Sequence, residues 1–256
     1  AMAAPQPTYA HLPLLVNEQR KKLSKRRDDV SIADYRDRGY LPEAMVNYLS
    51  LLGWGPPDDI EVRPLKEIVD LFAIEDVNKA AAFFDLKKLE FVNASHLREL
   101  EKNDFMERVK PWVQGDEVPW PSEKFDEDRY LTMVGLVQEK LRTLSDLPRF
   151  VDFVFLDEPV EDSDSWYKAM VKAPFALEIL DGTFTVLTDC DWETEAIKDA
   201  VTKVGENLGI KLGKTQAPVR VAVTGRTVGP PLFETMALCM DREVVLDRIS
   251  RARSRL

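Results

Sequence analysis

Six cations, Arg20, Lys21, Lys22, Lys25, Arg26 and Arg27, fall within eight consecutive residues of a chain whose formal net charge is −10. Lysine is a compact charge on a flexible stem, able to follow an anion whose charge moves during a reaction, and a reacting phosphate is such an anion. In "KLSKR" at 22–26, Leu23 and Ser24 separate Lys22 from Lys25. The apolar Leu23 can anchor the loop while both lysines project towards phosphate. A plain basic surface loop has the same composition, and the residues alone leave both readings open.

A second stretch, "LGKT" at 212–215, invites a phosphate-loop reading. That loop needs G-x-x-x-x-G-K-[ST] after a strand. The residue five before Gly213 is Leu208, Gly209 is one place too close, and the preceding stretch has helical spacing. Gly209 and Gly213 therefore read as a helix stop and a turn. No G-x-S-x-G, H-E-x-x-H or G-x-G-x-x-G occurs. Cys190 and Cys239 form no C-x-x-C, and His11 and His96 are far apart in sequence, so no zinc site is expected. The two thiols fit a reducing compartment. Most carboxylates fall in polar linkers and read as solvated faces.

The elements that must position the cations follow from length and pattern. A chain of 256 residues with 45% hydrophobic content suggests two domains, or three small ones. It has no apolar run of about 18 residues and no N-terminal apolar segment of the secretory kind, so we expect a cytoplasmic protein without a membrane span. Charge is uneven. Residues 1–38 hold eight Lys and Arg against five Asp and Glu, residues 116–170 hold six against fourteen, and residues 205–256 hold nine against five. A polyanion could touch the basic ends while the acidic middle repels it, which favours a docked fit.

Helical signals dominate. Pro42 suits a first helical turn, Ala44, Met45, Tyr48, Leu49, Leu51 and Leu52 follow with helical spacing, and Gly53 supplies a stop. Pro64 opens a short helix through Phe72. Asp85 can cap the next, with Leu86, Leu89, Val92 and Asn93 on one face. Residues 126–144 read as a single helix with acids in its first turn and cations in its last, as the macrodipole favours. Asp191 is expected to cap a helix that Gly209 ends, and two more helices close the chain. Residues 12–16 look extended, with a turn at 17–19. "APVRVAVTG" at 217–225 alternates like a strand, although a short apolar loop reads the same way. Residues 115–128 and 156–165 look like linkers. The expected fold class is mainly all-α, with helix above half of the chain and well above the usual third.

Against this background "KLSKR" resembles the second signature motif of class I aminoacyl-tRNA synthetases, usually written KMSKS. "YRDRGYLPEAMVNYLSLLGW", "FFDLKKLEFVNASHLREL" and "RVAVTGRTVGPPLFETMALCMDREVVLDRI" resemble bacterial glutamyl-tRNA synthetases. The matches run in order across residues 9–250; over 105–205 only the helical pattern is shared. The resemblance implies an enzyme that activates glutamate with ATP and Mg2+ and esterifies it to tRNA(Glu). Lys22, Leu23, Ser24, Lys25 and Arg26 would form the loop over the ATP phosphates, with Lys25 the catalytic lysine that stabilises developing charge. The companion motif HIGH is absent, as is nearly all of the nucleotide-binding domain. The chain therefore resembles the C-terminal half of such an enzyme, expected to catalyse nothing alone and to hold no cofactor or metal.

The implied organisation is the end of the catalytic domain with a short β hairpin over 1–38, a stem-contact domain over 39–104, and two α-helical anticodon-binding subdomains over 105–162 and 163–256. The implied partner is tRNA(Glu), bound by a monomer; glutamate and ATP would be reached only through the missing catalytic half. By the same resemblance Lys140 would read the third anticodon base, with Arg142 as the neighbour it could be confused with. Arg248, Arg251, Arg253 and Arg255 are candidates for the tRNA backbone, or equally a solvated helix end favoured by the dipole. Phe105, Trp112, Trp120 and Tyr130 could stack on bases or pack in the core. Helix-rich patterning weighs against the usual glutaminyl-tRNA synthetases, which carry β-barrels at this end. The rival reading from another class is a helical protein-interaction scaffold without an RNA role.

Overall fold

Caps and prolines set several of the helix starts in the computed structural model, which describes residues 9–24, 31–114 and 118–256. Helix accounts for more than half of the chain. The chain divides into two units, Ala1–Glu101 with Leu141–Ser145, and Lys102–Lys140 with Asp146–Leu256.

In the first unit, strand β1 (Leu15–Val16) pairs in parallel with β2 (Ala82–Phe83). An antiparallel bridge joins Val16 to Lys22 across a turn in which the Asn17 side chain accepts from the amides of Gln19 and Lys21, both at 3.1 Å. The expected hairpin is thus a single bridge, and the longer pairing comes from 82–83. Helices α1 (Ile32–Asp37), α2 (Pro42–Ser50), α3 (Leu65–Leu71) and α4 (Leu86–Glu99) complete the unit. Pro42 occupies the first turn of α2, where its missing N–H costs nothing. Asp85 caps α4, accepting from Lys87 and Lys88. Leu89, Val92, Asn93 and Leu97 point inward from α4, while Leu86 stays exposed at its start. They meet Leu41, Ala44, Met45 and Tyr48, and Phe84 lies edge-on to Tyr48 with ring centroids 5.2 Å apart.

Two buried amides tie this core together. Asn47 donates to Glu61 O (2.8 Å), accepts from Arg63 N (2.9 Å), and lies 2.9 Å from His96 Nε2. Asn93 accepts from Leu41 N (2.8 Å) and donates to Arg142 O. Burial keeps the His96 imidazole below its ordinary pKa, against the opposing pull of Glu99 and Glu43.

The second unit holds α5 (Lys102–Val113), α6 (Glu127–Val137), α7 (Leu147–Phe155), α8 (Ser163–Trp166), a π turn (Tyr167–Val171), α9 (Ala176–Thr188), α10 (Thr194–Asn207), α11 (Leu212–Thr224), α12 (Leu232–Cys239) and α13 (Arg242–Arg253). Helices α9, α10 and α13 pack around α11, which buries Val219, Val221, Ala222 and Val223. Phe105, Trp120 and Tyr130 are buried; Trp120 and Tyr130 lie around Phe125 and Phe155 with centroids 5.0–6.4 Å apart, so these three are core residues and offer no face for a base. Trp112 is half-buried.

Four expectations need correction. Gly213, expected in a turn, lies in the first turn of α11. Residues 217–224, which alternate like a strand, belong to α11: apolar neighbours on several sides reward burial all round, and packing overrides β-branched propensity. Asp191 does not cap α10; Glu193 takes that place without a side-chain bond. Trp192 explains the delay, because its indole N–H donates to Met236 O and Met240 O (3.1 and 3.0 Å), holding residue 192 outside the helix. The helix expected over 126–144 stops at Val137 and gives way to a 3₁₀ turn, Gln138–Lys140.

Candidate nucleic-acid interface

The chain leaves α6 because two apolar side chains are claimed elsewhere. Leu141 and Leu144 are buried, and Leu141–Ser145 belongs to the first unit although its neighbours on either side belong to the second. Within that first unit the segment is pinned at three points. Asn93 donates to Arg142 O, Leu144 N donates to Gly39 O (2.9 Å), and Ser145 Oγ donates to Arg38 O (2.8 Å). Gly39 is required there: its φ is +78°, and a Cβ would lie 2.6 Å from Ser145 N.

This path separates the two candidate base readers. Lys140 ends the 3₁₀ turn in the second unit, exposed and without an ion-pair partner among the described residues. Arg142 lies in the first unit, also exposed, with Nη1 3.2 Å from Glu90 Oε2. Both are solvent-facing cations, but Arg142 is engaged by a carboxylate and Lys140 is not.

Of the phosphate-loop residues, Lys22 is exposed while Leu23 and Ser24 are half-buried, and Leu23 N donates to Leu15 O (3.0 Å). That is the arrangement of an anchored loop with a projecting lysine. Lys25 and Arg26 lie outside the described residues. The described part fits a phosphate through Lys22 alone. Among the described residues no cluster of three His, Cys, Asp or Glu side chains could hold a metal ion, and no helix is long and apolar enough to cross a membrane.

The C-terminal arginines differ sharply from one another. Arg248, a candidate for the tRNA backbone, is 4% exposed, and its guanidinium donates to Val223 O, Phe153 O and Leu156 O at 2.6–2.8 Å. It is a structural clamp whose Nη atoms are taken by carbonyls, and it leaves the set of direct tRNA contacts. Burial lowers its pKa to about 10, with Asp152 and Asp157 pulling the other way, so it stays charged at neutral pH. Arg251 pairs with Glu158 and with Asp247 (2.8 Å). Arg253 pairs with Asp181 (2.5 Å) and lies over the Phe184 ring. Arg255 makes two bonds to Glu161 (2.6 and 3.1 Å). The basic end of the sequence is therefore largely matched by acids from residues 158–181 and from α13 itself.

Sequence reasoning missed Asn93's part in the segment and the buried pair Arg226–Asp152, 2.8 Å apart with both side chains under a tenth exposed. Burial pushes the Asp152 carboxyl up while Arg226 pulls it down. Single buried polar residues carry no spacing signal, so nothing in the pattern marked them.

A helical unit with an exposed cation at a helix-ending turn, unpaired among the described residues, is suited to meeting an anionic, splayed-out strand. Residues 104–253 match the family model of the anticodon binding domain, and the chain belongs to that family. Residues 1–91 match the model of tRNA synthetases class I (E and Q), catalytic domain. Among characterised proteins, the glutamate–tRNA ligase of Thermobifida fusca (strain YX) is 49% identical over 258 residues, covering all of this chain and 54% of that protein. The glutamate–tRNA ligase of Frankia casuarinae is 47% identical over 250 residues, covering 98% of this chain and 53% of its own. The crystal structure of a glutamate tRNA ligase from Elizabethkingia meningosepticum, in complex with its amino acid, superposes with a TM-score of 0.74 at 26% identity, covering 99% of this chain and 52% of that one. The chain spans about half the length of the curated relatives it matches.

Proposed function

We propose that this chain recognises tRNA(Glu) as the tRNA-binding part of a glutamate–tRNA ligase. The observation that carries the proposal is likeness to such ligases along the whole chain, with an anticodon binding domain over more than half of it. In the proposed arrangement residues 39–104 contact the tRNA stem, and residues 105–162 and 163–256 form two helical subdomains that hold the anticodon. Lys140 reads the third anticodon base; its exposure and lack of an acidic partner among the described residues support it over Arg142. Arg251, Arg253 and Arg255 are backbone contacts once their carboxylates are exchanged for phosphate.

In the full-length enzyme the loop Lys22, Leu23, Ser24, Lys25 and Arg26 faces ATP phosphates, and Lys25 holds charge on them. ATP with Mg2+ supplies the activating phosphoanhydride; this chain's contribution is cationic, through the loop lysines. We further propose that the chain alone is monomeric and catalyses no glutamate activation.

Binding measured for tRNA(Glu), for bulk tRNA and for an unrelated structured RNA over a range of KCl concentrations tests the proposal. Preferential binding of tRNA(Glu) that persists as salt rises supports it. Equal binding of all three, or none at low salt, rejects it in favour of a scaffold.

A further inference from the structure

We propose that the cleft between the end of α13 and the 156–162 loop is an anion site for an RNA phosphodiester, shielded in the free protein by Glu158 and Glu161. The proposal rests on the reading of this chain as an RNA binder and names a contact within it. A cavity of about 150 Å³ lies there, lined by Trp166, Gly225, Arg248, Arg251 and Arg255 together with the two glutamates. Three cations of one cavity come from a single helix and its C-terminal extension.

The innermost of them is fixed in place. Arg248 is buried, and its guanidinium donates only to backbone carbonyls. Its Nε has no partner among the described residues. No carboxylate among the described residues bonds it, and Asp152, Asp157 and Asp247 act on its charge only through space, so it adds a fixed, partly offset positive charge to the cavity it lines. At the mouth, Arg251 and Arg255 present planar forks whose geometry matches phosphate as well as carboxylate. At present Arg251 grips Glu158 through Nη1 and Asp247 through Nε, and Arg255 grips Glu161. The Arg255 guanidinium lies 3.6 Å from the centroid of the Trp166 ring, which presets its orientation.

The glutamates are placed by the backbone. Asp162 N donates to Gly225 O (2.9 Å), and Gly225 has φ +76° with Val160 O so near that a Cβ would lie 2.4 Å from it. The loop carrying both acids is thus seated on the end of α11. Arg251 and Glu158 are more than half exposed, and Arg255 and Glu161 about half and a third. Exposed ion pairs contribute little, so exchange of carboxylate for phosphate is cheap. Glu158 and Glu161 therefore act as stand-ins for the ligand, and RNA must displace them to dock.

Two measurements on the whole chain decide the matter. In the first, inorganic pyrophosphate is titrated while tryptophan emission is followed. Wild type is expected to respond as Arg255 shifts over Trp166, and Trp166→Phe and Arg255→Gln to lose the response; silence in wild type, or an undiminished response in both variants, overturns the site. In the second, tRNA(Glu) binding is measured against KCl. Glu158→Gln with Glu161→Gln is expected to tighten binding about two- to fivefold per glutamate. Adding Arg251→Gln and Arg255→Gln to that background should remove the gain and lower the salt slope by about 0.7–0.9 per arginine. Glu178→Gln with Glu195→Gln makes the same charge change elsewhere, and an equal gain from that pair, or a gain that survives loss of both arginines, overturns the proposal. A pyrophosphate response in a protein that binds no tRNA would reject RNA as the source of the phosphate and with it the RNA-binding reading, while leaving the anion chemistry in place.

Discussion

Replacing Asn93 by alanine should release the segment that follows Lys140. Asn93 is completely buried, and its amide satisfies two backbone groups at once, Leu41 N at 2.8 Å and Arg142 O. Alanine removes both of these bonds. Each buried bond so lost costs about 1–3 kcal/mol, and together roughly 2–6 kcal/mol. The loss should be local, because Leu144 N and Ser145 Oγ remain bound to Gly39 O and Arg38 O but lose the brace beside them. A fall of that size in local opening free energy raises amide exchange at Leu41 and Leu144 by roughly 30- to 25,000-fold. Hydrogen exchange resolved by residue, at pH 7 and 25 °C, reads this directly. Asn93→Asp keeps an acceptor for Leu41 N yet deprives Arg142 O of its donor, so it should accelerate Leu144 more than Leu41. If Asn93→Ala leaves both amides within about threefold of wild type, or speeds exchange uniformly through α9, α10 and α11, the pinning argument is wrong.

Further outcomes follow from the same geometry. In the full-length enzyme Lys25→Ala should slow ATP–pyrophosphate exchange about 10²–10³-fold with little change in tRNA affinity, and unchanged exchange would remove Lys25 from the catalytic role. Arg248→Gln should lower stability to urea by about 2–5 kcal/mol because three buried carbonyls lose a charged donor, whereas Arg253→Gln, removing a more exposed pair, should cost under about 1 kcal/mol. Comparable losses would contradict the clamp. His96 is neutral in the fold because burial depresses its pKa, while the unfolded chain takes up a proton below about 6.5. Its contribution is therefore complete above that pH and is lost as pH falls towards the folded value, by at most about 1.4 kcal/mol per pH unit. Unfolding of wild type and His96→Gln at pH 7.5, 6.5 and 5.5 should show the difference between them shrinking as the pH drops; a constant difference would count against a depressed pKa.

What could be read from the sequence was what local chemistry encodes. Pro42 and Asp85 mark helix starts through their own backbone and side-chain bonding, and both starts lie where the pattern puts them. Tertiary demands were invisible. α11 is β-branched yet helical because apolar neighbours surround it, and Asp191 loses its cap because Trp192 is held by carbonyls some fifty residues later. The helix over 126–144 breaks because Leu141 and Leu144 are buried in the first unit. Counting charge along the C-terminus overstated its basicity, since Glu158, Glu161 and Asp181 return from distant sequence to meet the arginines. "KLSKR" was legible only through its family motif, and of its residues the half-buried Leu23 supports the anchoring idea while Lys25 and Arg26 fall outside the described chain.

The central claim is that this chain reads the anticodon of tRNA(Glu), with Lys140 at the third base. A cytosine there offers the acceptors N3 and O2, which suit a lysine that can only donate; guanine presents N–H donors at N1 and N2 instead. A wrong base costs about 1–3 kcal/mol, or roughly 5- to 150-fold, and a lysine without arginine's planar fork belongs near the lower end. The deciding measurement is the ratio of dissociation constants, at one fixed salt concentration, for tRNA(Glu) and the same tRNA with that cytosine changed to guanine. Wild type should prefer cytosine at least fivefold, about the cost of one wrong base, and the preference should collapse towards unity in Lys140→Gln with total affinity nearly kept. A ratio near unity in wild type would contradict the claim, and a ratio that moves only in Arg142→Gln would assign the reading to the first unit instead.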